Sequence, residues 1–227
     1  MTASKIAMKS RTKVILGEYR SKLSLYEQYC VAACNLLESL LKKDEYKYQL
    51  SYRIKNVHSL TEKIQRKRQK SKLYKHLDEI EDILGIRIVF YTEHDRKKFI
   101  KKLSLELKNQ VRYEERFRIS GYRSTHAIIT FGQDRTGLPE YRKFKGLKCE
   151  VQLTLILNHA WAEVEHDILY KETSRIRLLD KKRYDILKNR MEKVMVDYIR
   201  KASKELEGIV KEIRTVKLKS PSKEDVP

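Results

Sequence analysis

The sequence predicts an α/β domain: a mixed β-sheet of about five strands with flanking helices, and helical extensions at both ends. Three observations lead to this class. Segments with a helical period alternate with short β-branched or alternating segments along the chain. Glycine and proline are scarce, 7 and 3 in 227 residues, which argues against an all-β sandwich or a turn-rich solenoid. Hydrophobic residues make up 41%, enough for a real core.

From Lys13 to Lys43 the positions Ile15, Tyr19, Leu23, Tyr26, Cys30, Ala33, Leu37 and Leu40 recur at steps of three and four, the period of an amphipathic helix. Tyr46 to Lys55 changes to alternation, with Tyr48, Leu50 and Tyr52 opposite Gln49, Ser51 and Arg53, and reads as a strand. Ser59-Leu-Thr-Glu62 has capping-box spacing, so a basic helix through Arg68 is predicted to start there. A short acidic helix, Tyr74 to Asp82, precedes the buried strand Leu84-Gly-Ile-Arg-Ile-Val-Phe-Tyr91. His94 to Leu107 is helical by pattern, and His126 to Phe131 and Leu147 to Leu153 are strands. Thr154 to Lys171 is a helix with the stripe Leu157, Trp161, Val164 and Ile168, its other side carrying His159, Glu163, His166 and Tyr170. Asp180 to Val216 is a long charged helix with Leu187, Met191, Val194, Tyr198 and Ile209 as its seam, and Ser220 to Pro227 is a polar tail. Residues 1–45 are thus an N-terminal arm, 46–171 the core and 172–227 a C-terminal helix with its tail.

Charge narrows the partners. The 51 basic and 31 acidic side chains sum to +20, a field that attracts anions. Three cysteines without a C-x-x-C pair indicate neither a disulfide framework nor a structural zinc site and fit a reducing cytoplasm. No segment reaches the roughly 18 apolar residues of a membrane span, and Met1 to Thr12 is too polar for a signal peptide. A cytoplasmic protein without membrane contact is expected.

Four clusters fall at predicted strand ends. Arg53 and Lys55 point to one face of a strand, and Lys63, Arg66 and Lys67 follow on the next helix, an arrangement that can hold a polyphosphate or that a lysine-rich chain produces by chance. Ser59 reads as a helix cap. Asp82 precedes the buried strand, and Glu150 lies in another, sharing a face with Gln152 and Thr154. Two such carboxylates indicate either a Mg²⁺ site or salt bridges, for instance Asp82 with Arg87. Gly121-Tyr-Arg-Ser-Thr-His126 either brings backbone close to a ligand, with Tyr122 available to stack on a base, or is a plain hairpin turn. His159, Glu163 and His166 lack the zincin arrangement and read as hydrogen-bonding partners of the neighbouring strand.

In this order the clusters resemble the synthetase domain of the RelA/SpoT family, the alarmone synthetases. The matching stretches are Tyr52-Arg-Ile-Lys55 with Ser59 and Lys63, Asp82-Ile-Leu-Gly-Ile-Arg87, Gly121-Tyr-Arg-Ser-Thr-His126, and Glu150-Val-Gln152 running on to His159-Ala-Trp-Ala-Glu163, Glu165-His166 and Tyr170-Lys171. The resemblance implies a nucleotidyltransferase-like sheet and transfer of the β,γ-pyrophosphate of ATP to a ribose 3′-hydroxyl. It implies that Arg53, Lys55, Ser59 and Lys63 hold ATP, assisted by Arg87, and that Asp82 and Glu150 bind Mg²⁺, with Glu150 also activating the hydroxyl. By the same resemblance Tyr122 stacks the acceptor base, with Arg118, His126 and Gln152 around the acceptor.

The chain resembles the small, single-domain members, which differ in acceptor. Ordinary small alarmone synthetases use GDP or GTP, whereas toxic ones, the toxins of toxin–antitoxin pairs, include members that modify the 3′ CCA end of tRNA. Housekeeping members usually read E-[IV]-Q-[IV]-R-T; here Glu150-Val-Gln-Leu-Thr-Leu155 puts Thr154 where an arginine is expected near the acceptor. Asn158-His-Ala-Trp-Ala-Glu-Val-Glu-His166 is also closer to the toxic group. The +20 charge, with basic runs at Arg66 to Lys72 and Arg142 to Lys148, supplies a field matched to a tRNA backbone, Arg66, Lys67, Arg142, Lys143 and Lys145 being the candidate contacts. The expectation is therefore a tRNA-modifying toxin with a cognate antitoxin protein, the alternatives being a (p)ppGpp synthetase and an inactive RNA-binding module. Retention of Asp82, Glu150, Tyr122, Arg53 and Lys55 argues against the last. The terminal helices are candidates for packing on the domain, forming homo-oligomers or receiving the antitoxin.

Overall fold

A computed structural model describes residues 3–44, 46–69, 73–117, 123–165 and 180–219. Two helices open the chain, α1 (Ala3–Ser21) and α2 (Leu23–Lys42), where one arm from Lys13 was predicted. The break falls at Lys22, whose ψ of 2° leaves the helical range and whose N–H is shared between the carbonyls of Glu18 and Tyr19. Of the predicted seam, Ile15, Tyr19, Tyr26, Cys30, Ala33, Leu37 and Leu40 are buried.

Strand β1 (Tyr48–Ile54) leads into α3 (Val57–Gln69). This helix starts two residues before Ser59, because Asn56 caps it: Asn56 Oδ1 accepts from the Ser59 N–H at 2.8 Å and its carbonyl from Leu60 N–H at 2.9 Å. The acidic helix predicted for Tyr74 to Asp82 is only a 3₁₀ turn, Leu77–Glu79. Its buried positions Tyr74, Leu77, Ile80 and Ile83 step by three, a spacing that suits three residues per turn better than 3.6. Together with Ile15, Tyr19, Tyr26, Leu60 and Ile64 they form one apolar cluster under the loop that carries Asp82.

The chain continues through β2 (Leu84–Phe90), α4 (Glu93–Leu107), β3 (Val111–Phe117), β4 (Arg123–Ile129), a short α5 (Gln133–Thr136), β5 (Cys149–Leu155) and α6 (Ile156–Val164). The five strands form one mixed sheet in the order β1-β2-β5-β4-β3. β3 was not located from the sequence. It is the last strand of the sheet, and its segment Val-Arg-Tyr-Glu-Glu-Arg-Phe is charged and half exposed, as edge strands are. β3 and β4 run antiparallel, since the Thr130 N–H donates to Gln110 O at 3.0 Å while Thr125 Oγ1 donates to Glu115 Oε1 at 2.6 Å.

The chain clusters into two compact units, one of residues 1–88, 99–114 and 126–152, the other of 89–98, 115–125 and 153–227. In the first, Tyr29, Phe131, Tyr141 and Phe144 pack ring on ring, with Tyr29 and Phe131 centroids 5.0 Å apart. In the second, α7 (Lys181–Val194) passes through a π turn (Met195–Ile199) into α8 (Arg200–Lys219). The predicted seam slips there: Met195 is fully buried against Trp161, whereas Val194, Tyr198 and Ile209 are exposed. A π turn adds a residue to the turn and shifts which side chains face inward, which a 3.6-residue period does not anticipate. Val164, predicted for the stripe of α6, is also exposed. α8 is tied by polar anchors: Arg214 grips buried Asp95 through two hydrogen bonds of 2.9 and 2.8 Å, and Glu207 Oε1 accepts from the His94 N–H at 3.1 Å. Among the described residues no helix is long and apolar enough to cross a membrane.

Candidate active site

Two groups of predicted residues assemble in the first unit. The first is cationic and centres on Asp82. Lys63 Nζ lies 2.5 Å from Asp82 Oδ1, and Lys55 Nζ lies 3.4 Å from Oδ2. The salt bridge that sequence allowed between Asp82 and Arg87 does not form; Arg87 turns to Gln152. Backbone fixes this geometry: Tyr19 Oη donates to Lys55 O at 2.5 Å and the Lys55 N–H to Ile83 O at 2.8 Å, so α1 and the start of β2 hold the residue between them. Ser59 sits half-buried on the first turn of α3, the helix that supplies Lys63.

Arg53 joins from β1. Its side chain lies across Gly85 of β2, with Cγ 3.8 Å and Nε 3.9 Å from the place where a Cβ would stand. Larger side chains at 85 would displace the guanidinium. Two ammonium groups thus meet one carboxylate while Arg53 lies over the next strand, an excess of positive charge suited to a polyphosphate.

The second group is a strip across β2, β5 and β4. Arg87 Nε donates to Gln152 Oε1 at 3.2 Å, Gln152 Nε2 to Glu150 Oε2 at 3.4 Å, and His126 Nδ1 stands 3.1 Å from Glu150 Oε1. An ionised carboxylate only accepts, so His126 carries its hydrogen on Nδ1. Glu150 and His126 are only 4% and 6% exposed, a burial that a carboxylate tolerates when its oxygens are hydrogen-bonded. Beside it in sequence, burial pushes the Cys149 thiol well up, with nearby Cys34 and Glu150 adding to the effect. Thr154, next on the same face of β5, is buried and its hydroxyl has no hydrogen-bond partner among the described residues.

For magnesium the donor types fit: both candidate ligands are hard carboxylates, and Asp82 Oδ1, which the Lys63 ammonium approaches, is a buried oxygen lacking a hydrogen bond among the described residues. Among the described residues no three His, Cys, Asp or Glu side chains converge as a metal cage. Such an ion would draw its remaining ligands from substrate phosphate and water, the usual habit of magnesium.

The other predicted residues are placed individually. Arg142, Lys143 and Lys145 are exposed on or beside a 3₁₀ turn (Arg142–Phe144), anchored by Phe144; Lys143 also reaches Gln28 and covers the Phe144 ring at 5.2 Å. Arg66 is exposed and Lys67 half-buried on α3. His159 pairs with Glu163 one turn along α6, 3.5 Å apart. Arg118, Tyr122, His166, Tyr170 and Lys171 lie outside the described residues. Sequence reasoning missed Tyr19, Asn56 and Gly85. A glycine inside an otherwise apolar strand was the available signal for the last, since it marks a close approach.

A five-stranded sheet thus carries a lysine-flanked aspartate before β2 and a buried, hydrogen-bonded glutamate on the neighbouring strand β5. Residues 52–175 match the region found in RelA/SpoT proteins, and the chain belongs to that family. Its curated relatives include GTP pyrophosphokinase YwaC of Bacillus subtilis (strain 168), 25% identical over 173 residues, which span 70% of this chain and 78% of that protein. Among solved structures, small alarmone synthetase 1 from Bacillus subtilis superimposes with a TM-score of 0.62 at 23% identity, covering 88% of this chain and 99% of that one. The same synthetase bound to its product pppGpp gives 0.60 at 23% identity, with 90% and 100% covered.

Proposed function

We propose that this chain is an ATP-dependent pyrophosphokinase that moves the β,γ-pyrophosphate of ATP to a ribose 3′-hydroxyl. Family membership supports the chemistry, and the observation that carries it is the ion-paired set Lys55, Lys63 and Asp82 with Arg53 over Gly85. In this reading Arg53, Lys55, Ser59 and Lys63 receive the triphosphate, with Arg87 assisting. Asp82 and Glu150 hold Mg²⁺, which when bound neutralises phosphate charge. Glu150 receives the proton of the attacking hydroxyl. Oxygen attacks the β-phosphorus, the bond from that phosphorus to the oxygen shared with the α-phosphate breaks, and AMP leaves. Tyr122 stacks the acceptor base, Arg118 and His126 form the acceptor side, and Gln152 stands beside Glu150. Such a reaction depends on alignment and charge neutralisation more than on a strong base.

For the acceptor, the 3′ CCA end of tRNA is the reading we favour, which makes the protein a translation-inhibiting toxin with a protein antitoxin as partner. It is supported by Thr154, a small buried residue where an arginine is expected beside the acceptor, and by the +20 charge with exposed Arg66, Arg142, Lys143 and Lys145. The second reading, GDP or GTP as acceptor, is supported by the relatives: one is a GTP pyrophosphokinase and another has pppGpp as its product. ATP labelled in its γ-phosphate, offered in parallel with deacylated tRNA and with GDP and GTP, separates them. Label on tRNA is the expected outcome; label confined to guanosine nucleotides would establish the second reading.

A further inference from the structure

Gln152 stands between two groups of opposite charge. Its Oε1 accepts from Arg87 Nε at 3.2 Å and its Nε2 donates to Glu150 Oε2 at 3.4 Å. A guanidinium only donates and an ionised carboxylate only accepts, so the neighbours leave the amide one orientation. The opposite oxygen of Glu150 is met by His126 Nδ1–H at 3.1 Å. Both oxygens of a carboxylate that is 4% exposed are therefore restrained, one through Gln152 and one through His126.

We propose that Gln152 is a positioning residue: it fixes the Glu150 carboxylate and ties it to Arg87, and its contribution to the reaction runs through Glu150 rather than through contact with the acceptor. This rests on the reading of Glu150 as the group that receives the hydroxyl proton. The side-chain type follows from the two neighbours. Glutamate at 152 would set a second carboxylate against Glu150, and lysine a second cation against Arg87. Asparagine is one methylene short of spanning both partners, and methionine keeps the length while deleting both hydrogen bonds.

The test is steady-state kinetics of Gln152→Met and Gln152→Asn with ATP and whichever acceptor the protein uses. A misoriented base slows chemistry without weakening ground-state binding, so kcat is expected to fall roughly a hundredfold while KM for both substrates stays within about twofold. A raised acceptor KM with kcat unchanged would make Gln152 an acceptor contact and overturn the proposal, as would wild-type kinetics in both variants. A thermal melt of each variant reports folding; Gln152→Asn, which keeps an amide and opens the smaller gap, carries the test if the methionine variant does not fold. Adding Gln152→Met to Glu150→Gln should leave residual activity unchanged within about twofold, because there is no carboxylate left to orient. A further loss equal to that in the wild-type background would overturn the proposal. Wild-type turnover in Glu150→Gln alone would instead remove the reading of Glu150 on which it rests, an outcome distinct from either.

Discussion

Gly85 leaves the face of β2 open to Arg53, whose Cγ and Nε stand 3.8 and 3.9 Å from where a Cβ would be. An alanine methyl would touch the arginine without clash, whereas a valine would push it away. Gly85→Val is expected to raise KM for ATP about tenfold or more with a small change in melting temperature, and an unchanged KM would remove Arg53 from the triphosphate site. Asp82 is held by two ammonium groups and Glu150 by an imidazole and an amide, and this contrast is chemically useful. In the proposed reaction the first carboxylate meets anionic substrate charge and the second receives a proton. The thiols behave differently: Cys30, Cys34 and Cys149 are all buried, a hydrogen bond with Cys30 and then burial raise Cys34, and burial raises Cys149. They should react slowly with a thiol reagent in native protein and fully after unfolding. Fast native labelling would contradict the burial of the three thiols.

At the scale of elements, legibility tracked how much of each element's pattern is set locally. β2 was readable because an unbroken β-branched and aromatic run is buried, and α4 because its apolar positions keep one period. β3 was not, since an edge strand carries charges on both faces and resembles a loop in composition. The π turn at Met195–Ile199 was equally silent, because the shift it makes is offset only in tertiary packing with Trp161. Met195→Ala is expected to cost about 3 kcal/mol in the unit that contains α7 and α8, read by denaturant unfolding; Val194→Ala should cost far less, and the reverse order would restore the regular seam. Asp95 shows how α8 is held. Burial works to raise its carboxyl, but the Arg214 hydrogen bonds, Thr92 and the Arg214 and His94 charges outweigh it and leave the group below its ordinary value. A lowered carboxyl contributes stability that is present above the ordinary carboxylate range, near pH 4, and is lost as pH falls through the folded value. The protection of α8 against hydrogen exchange, taken relative to the intrinsic rate at each pH, should therefore fall on acidification in the wild type, and Asp95→Asn should remove that acid dependence while weakening the helix at neutral pH. Acid dependence of the same size in the variant would exclude the pair as its source.

For the whole molecule, the clusters around Asp82 and Glu150 were legible as sets of residue types, but their internal pairing was not. That Lys63 rather than Arg87 meets Asp82, and that His126 meets Glu150, depends on the sheet order β1-β2-β5-β4-β3, which no local period encodes. Charge was legible at once, and it belongs to the same scale. If the +20 field serves a tRNA acceptor, exchange of Arg142, Lys143 and Lys145 for glutamate should weaken tRNA modification and lower the slope of log affinity against log salt by about one for each phosphate left without its cation. Use of GDP or GTP by the same variant should change little. An unchanged slope would assign those side chains to a solvated surface.

The central claim is a transfer of two phosphates together, with Glu150 taking the hydroxyl proton and the lysine-flanked Asp82 facing the triphosphate. Its most direct measurement is the nucleotide released from ATP per acceptor modified, followed by chromatography and repeated with Glu150→Gln. AMP in equal amount to an acceptor bearing two added phosphates, with both formed far more slowly by the variant, is the expected result. Release of ADP, or an acceptor carrying a single new phosphate, would contradict it.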